Sequence, residues 1–567
     1  MSRWVWFVVC AILGLVMLIC GLLVPAHLRA VDVSLLQKAG RGTPALLDVG
    51  FELAHNNQLG AAELVADAVR EERVLGWHRL GQEITNLFEQ HPDWRSWGGG
   101  DPLMGALTEY QLPSSKPEPI TEWVVRLENR GKVLNLLGAS SKPGVQELMR
   151  CRELTNTTLL PPSRSASGQA FDAALSIAGL LMEANHLNGT LSGSLQRLAG
   201  EANHGGSSQP FEQALMDFMS LGQRFNWNQL QVFVGQIPDP ETLRQLSHFA
   251  HHSGAQLPVL FSTVVLTGHP AAIAKYLQKF SQTGLNDLGQ SLQFGAGSVN
   301  ELLRNDQRLY SSTVRQRLAE FGPFAWVAEQ GADYSWTRPQ AALTTKWVLY
   351  IAAGFLLALG LHFVRPRGTA LERPLQVRGV HFARELLFAL GFLLAVLLLS
   401  EPFLSQESQK VDVPFRLSLS TVGRAVQAGV TGAKPSIMNQ VSLLTLLLFF
   451  VLQGLLYIAC VVKLAEIRRQ QVPPRVKLKL LENEDHLFDA GLYLGFVGTI
   501  ISLILVSLNI ITFSLMAAYS STSFGIVFVS FFKIFHLRPL RRRLLLESEM
   551  LAPEPIDPAQ AWPATTT

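Results

Sequence analysis

The side chains with chemical capacity that stand out are polar ones placed where hydrocarbon is expected. Two adjoining stretches, GLYLGFVGTIISLILVSLNI (491–510) and ITFSLMAAYSSTSFGIVFVSFF (511–532), are each long enough to cross a bilayer, which takes about 20 apolar residues. Both carry hydroxyls and small residues where a plain anchor carries Leu and Val. Thr499, Ser502, Val506 and Asn509 fall at i, i+3, i+7 and i+10, so the polar three share one helical face. Gly491, Gly495 and Gly498 line a neighbouring face, and Ala518, Ser521, Thr522 and Gly525 form a similar strip in the second stretch. Such strips let helices approach closely. The only ionisable side chains in either stretch are Tyr493 and Tyr519, with Asp489 just before the first. Hydroxyls and amides donate and accept hydrogen bonds without titrating near neutral pH. Thr499, Ser502, Asn509, Ser521 and Thr522 are therefore candidates for an ion path or a helix interface, and Gly491, Gly495, Gly498, Ala518 and Gly525 for helix packing. None of them could carry a proton itself.

Other parts of the chain offer less. His248, His251 and His252 lie at i, i+3 and i+4 of an expected helix, a spacing that suits a metal. No Cys completes a ligand set, so a solvated or packed face is expected and no metal site. Glu401-Pro402 closes a hydrophobic run and reads as an outer-interface feature outside the core. Gln453 reads as a packing amide between helices. No P-loop, GxSxG, HExxH or paired-carboxylate pattern occurs in a matching context, so neither enzyme activity nor a cofactor is expected. Cys10, Cys20, Cys151 and Cys460 form no disulfide framework.

The elements that must position the polar pair follow from hydropathy and charge. The chain has 567 residues, only 16% of them charged, with a formal net charge of +3. That balance mixes membrane spans with soluble material and gives no argument for nucleic acid. The apolar run at residues 4–24 exceeds the roughly 7–15 residues of a signal-peptide core. It reads as an uncleaved anchor, although Val24-Pro25-Ala26 has the form of a cleavage site. Residues 27–345 turn soluble and helical. Phe171, Ala174, Leu175, Ala178, Leu181 and Met182 keep one amphipathic face, and Phe211, Ala214, Leu215, Phe218 and Met219 keep another. Asp239 before Pro240 is a better helix cap than His269 before Pro270. Trp227–Val234 is the nearest approach to a strand. WRSWGGGDP (94–102) and LLPPSRSASG (159–168) read as loops. A helical array, solenoid-like but without a fixed-period repeat, is expected.

Further hydrophobic runs at about 346–364, 385–400 and 441–462, with the polar pair and the first anchor, make six spans. Basic residues crowd after the second (Arg365, Arg367, Arg373, Arg378, Arg384), the fourth (Arg468, Arg469, Arg475, Lys477, Lys479) and the sixth (Lys533, Arg538, Arg541, Arg542, Arg543). The positive-inside rule makes all three clusters cytoplasmic, and they meet anionic headgroups there. Both termini are then cytoplasmic and the large domain lies outside. The expected fold is all-α and polytopic. It comprises an anchor at 1–26, an extracytoplasmic domain at 27–345, two spans at 346–404, an outer loop at 405–440, a three-helix core at 441–540 and a cytoplasmic tail at 541–567.

The segment GFVGTIIS (495–502) resembles the Gly-x-x-Gly-Thr-Val segment in the second core helix of the MotA/TolQ/ExbB proton-channel family. LMAAYSSTSFG (515–525) resembles that family's Ala-Leu-x-x-Thr-Ala-x-Gly-Leu segment in the third. The expected directions of spans four to six agree with it, and the likeness covers about 441–540. It implies that Thr499 and Thr522 correspond to the two intramembrane threonines lining the interior of ExbB-like subunits. It also implies a homo-oligomeric ring around a single-span ExbD/TolR/MotB-like partner, whose intramembrane Asp carries the proton. The turn centred on Ile510–Thr512 and the loop 463–488 are both shorter than in the family. The resulting expectation is a bacterial-type inner-membrane subunit that couples ion flow to work on an envelope partner through a periplasmic helical domain. Two other classes stay open: a membrane-anchored helical scaffold without conduction, and a solute or mechanosensitive channel.

Overall fold

The computed structural model describes residues 3–74, 76–107, 118–364, 378–403, 440–507 and 515–550. It is helical almost throughout and divides into two compact units, Val31–Ser311 and a second made of Met1–Ala30 with Ser312–Thr567.

The unit Val31–Ser311 is a packed array of short helices. Polar caps open several of them, at Asp32, Asn188, Asn226 and Asp239, by satisfying amides that have no partner inside the helix. Asp239 accepts from Thr242 N–H at 2.9 Å, while His269 makes no side-chain cap. Asn226 and Gln229 cap reciprocally, at 2.9 and 3.0 Å. This capping box starts a helix at Trp227–Gly235, where alternation suggested a strand. Nearly every side chain of that helix is buried, so alternation carries no information about period. Gln169–Glu183 likewise buries Ala173, Ser176 and Ile177 in addition to the expected face, and so runs through the core enclosed on all sides. Its one buried hydroxyl, Ser176, donates back to Asp172 O. Phe171, Phe211, Phe218, Phe225, Phe233 and Phe261 are fully buried in the same core. Pro92–Ser96 winds into a 3-10 turn that takes in the start of the expected loop 94–102, whereas 159–168 stays irregular. That irregular segment is tied down by the buried Glu212, whose carboxylate accepts the amides of Thr158, Leu159 and Leu160.

The unit is narrower than the expected 27–345. Helices Thr313–Ala319 and Gly322–Thr337 group with the N-terminal helix and Pro339–Val364 instead.

In the second unit we label α1 (Arg3–Leu23), α2 (Pro339–Val364), α3 (Arg378–Ser400), α4 (Gln440–Arg469), α5 (Ala490–Ser507), α6 (Leu515–Phe532) and α7 (Arg538–Met550). Among the described residues four helices are long and apolar enough to cross a membrane: Trp4–Leu23, Pro339–Leu361, Leu446–Arg469 and Tyr519–Met550. Glu385–Ser400 and Ala490–Ile500 are shorter apolar helices. α1 packs along α2, α2 along α3, α3 along α4, and α4 with α5 along α6. The loop expected at 463–488 is a folded cap. Helices Pro474–Asn483 and Asp485–Phe488 join α4, α6 and α7 around Cys460, Ile467, Leu481, Phe488, Phe532 and Leu544.

Candidate functional site

α5 and α6 lie close because glycines face each other across the seam. A Cβ on Gly495 would stand 2.8 Å from the carbonyl oxygen of Ser521, and one on Gly525 would stand 2.6 Å from that of Gly491. Both obstacles are backbone and cannot rotate away. A Cβ on Gly498 would meet Ser521 Oγ at 2.4 Å. The packing face and the hydroxyl face, read separately in the sequence, merge here. Gly491, Gly495 and Thr499 recur every four residues and are all buried against α6.

That approach brings Thr499 and Thr522 into contact, with their hydroxyl oxygens 2.6 Å apart. Thr499 also donates to Gly495 O at 3.0 Å, and Thr522 reaches the same carbonyl at 3.2 Å. Three oxygens thus share two protons, and either hydroxyl can donate to the carbonyl while the other donates to its neighbour. Thr499 and Ser521 are buried and Thr522 is half-buried. Tyr493 and Tyr519 are exposed, outside the seam. Two turns further along, Gln453 of α4 is buried and donates to Gly491 O at 3.0 Å. Its Oε1 accepts no hydrogen bond from any described residue.

Ser502 belongs to α5 and Ala518 to α6, but their side chains lie outside the described residues, as do Asn509 and the Ile510–Thr512 turn. Asp489, at the start of α5, forms an ion pair with Lys533 at 2.6 Å. His248 and His252 lie side by side on one helix, with the rings 4.4 Å apart and His252 Nδ1 2.8 Å from His248 O.

Glu401 corrects the sequence reading. It is buried, with 6% of its surface exposed, and it pairs with Lys346, which is 1% exposed, at 3.0 Å. Lys346 Nζ also donates to Ala26 O at 2.6 Å and lies 3.3 Å from His27 Nδ1. Leu28 N–H donates to the second carboxylate oxygen at 3.0 Å. His27 Nδ1 also lies 3.5 Å from the Glu401 carboxylate, so the ring sits between the ammonium and the carboxylate. Burial by itself raises the Glu401 carboxyl. The His27 ring, the Lys346 charge and the Leu28 amide outweigh it and hold it at about 2. The signal in the sequence was a Lys inside one apolar run and a Glu at the end of the next, but their pairing spans 55 residues.

Comparison with family models, curated proteins and solved structures finds no match for this chain. The functional reading rests on the site itself.

Proposed function

We propose that this chain is an inner-membrane subunit of an ion-motive-force-driven complex, resembling ExbB, TolQ and MotA. It would couple ion flow to work on an envelope partner through the unit Val31–Ser311. The observation that carries the reading is the composition of the α4–α5–α6 seam. It gathers two hydroxyls in mutual contact and a buried amide with an unused acceptor, while Asp489, the carboxylate at the start of α5, is already paired with Lys533. An unused acceptor in a low-dielectric seam is costly and suits a donor supplied from elsewhere, such as the protonated carboxyl of a second chain. The proton carrier is then the Asp of a single-span ExbD/TolR/MotB-like partner held in a homo-oligomeric ring. Both termini face the cytoplasm in this reading and Val31–Ser311 faces the periplasm.

A second reading has its own support. Thr499 and Thr522 satisfy each other and Gly495 O within the hairpin, as packing alone would require, which favours a non-conducting scaffold. Purification from the native membrane in mild detergent separates the two. The first reading expects a stoichiometric single-span protein with one intramembrane Asp. Its absence under conditions that keep the oligomer intact selects the scaffold.

A further inference from the structure

A cavity of about 940 Å³ opens beside the junction of α6 and α7. The junction is a π-helical turn, Lys533–Leu537, a local widening that recurs at functional positions. The cavity wall combines Arg538, Arg541 and Arg542 with Ile534, Leu545 and Leu546. The three arginines fall at i, i+3 and i+4 of α7 and so share one face. Their neighbours are neutralised: Lys533 pairs with Asp489 at 2.6 Å, and Arg543 pairs with Glu547 at 3.1 Å. Arg538, Arg541 and Arg542 make no ion pair or hydrogen bond with any described residue. Asp485, the one acidic residue in the wall, does not balance them.

We propose that this cavity binds an anionic phospholipid, with its phosphate held by Arg538, Arg541 and Arg542 and its acyl region beside Ile534. Guanidinium forks match phosphate oxygens bidentately and are weakly hydrated. The cavity lies along the C-terminal part of the helix run Tyr519–Met550, which is long and apolar enough to cross a membrane, and Ile534 is half-exposed in its wall. Basic pockets at the cytoplasmic ends of membrane helices hold anionic headgroups in this way. A soluble phosphate would leave the apolar wall unused. The site is independent of ion coupling and stands if that reading fails.

The test is native mass spectrometry of the full chain in non-ionic detergent. It is titrated with phosphatidylglycerol or phosphatidylcholine of identical acyl chains, with glycerol phosphate as competitor. The tightest phosphatidylglycerol adduct should form at least tenfold more readily than the phosphatidylcholine adduct and resist glycerol phosphate. It should be lost in R538Q/R541Q/R542Q, be weakened but still favour phosphatidylglycerol in the Arg→Lys triple, which keeps charge without the fork, and survive R468Q/R469Q/R475Q. Arg542→Gln alone, at an exposed position, should already weaken it severalfold, which covers a triple variant that fails to fold. Equal retention of the two lipids, or an adduct that survives both R538Q/R541Q/R542Q and Arg542→Gln, overturns the proposal. Displacement by glycerol phosphate assigns the cavity to soluble phosphate instead. Binding that appears only after deletion of residues 551–567 assigns it to the chain's own tail, which carries Glu554 and Asp557.

Discussion

At the scale of single residues, the buried Lys346–Glu401 pair is the sharpest feature of the membrane unit. Removing one partner of a buried pair costs about 3–5 kcal/mol, because the other charge stays behind uncompensated. Glu401→Ala should therefore destabilise the α1–α2–α3 packing by that order, and Lys346→Met/Glu401→Leu by much less, as measured by thermal unfolding in detergent. The pH dependence has a definite sign. With the folded carboxyl held at about 2 against an ordinary 4.5, the Glu401 contribution is complete above pH 4.5 and fades as pH falls towards 2. The gap between wild type and Glu401→Gln should close over that window; a constant gap would show that ionisation is not what stabilises the site. Glu212 adds a parallel case in the unit Val31–Ser311. Burial raises its carboxyl, but the Ser208 hydroxyl and the amides of residues 158–160 hold it below its usual range. Glu212→Ala leaves three amides with no acceptor and should cost about 3 kcal/mol or more.

At the scale of elements, the α5–α6 contact predicts that Gly495→Ala and Gly525→Ala destabilise by about 1–3 kcal/mol, the usual cost of overpacking. The obstacles there are carbonyl oxygens. Unfolding midpoints unchanged by both substitutions would contradict the close approach. The N-terminal helix yields another expectation. Its exit supplies Ala26 O and Leu28 N–H to the buried pair, so cleavage after Ala26 would divide those contacts between two chains. Intact-mass measurement of the membrane-extracted protein should find residues 1–26 still attached. Much of this was legible from the sequence. Periodicity placed Gln169–Glu183, Pro240 marked the Asp239 cap, and the glycine spacing marked the seam. What escaped was long-range. Lys346 and Glu401 meet only because α2 and α3 pack, and Trp227–Gly235 is helical because a capping box outweighs an alternation that burial makes uninformative.

At the scale of the molecule, a helical unit and a unit of long apolar helices are carried on one chain, and the proposed function rests on the seam between α5 and α6 as the contact with an ion-carrying partner. Replacing a hydroxyl by a methyl of the same shape keeps the packing but removes the hydrogen bonds, so Thr522→Val tests chemistry with little change in volume. Losing that one hydrogen bond should lower stability by only about 1 kcal/mol, whereas ion coupling should fail. The most direct measurement is proton flux in liposomes holding the complex purified from its native membrane, alongside liposomes holding this chain alone. Flux is expected only when the single-span partner is present, and should be lost in Thr522→Val while the complex stays assembled. Flux from this chain alone, or unchanged flux in Thr522→Val, would contradict the proposed function.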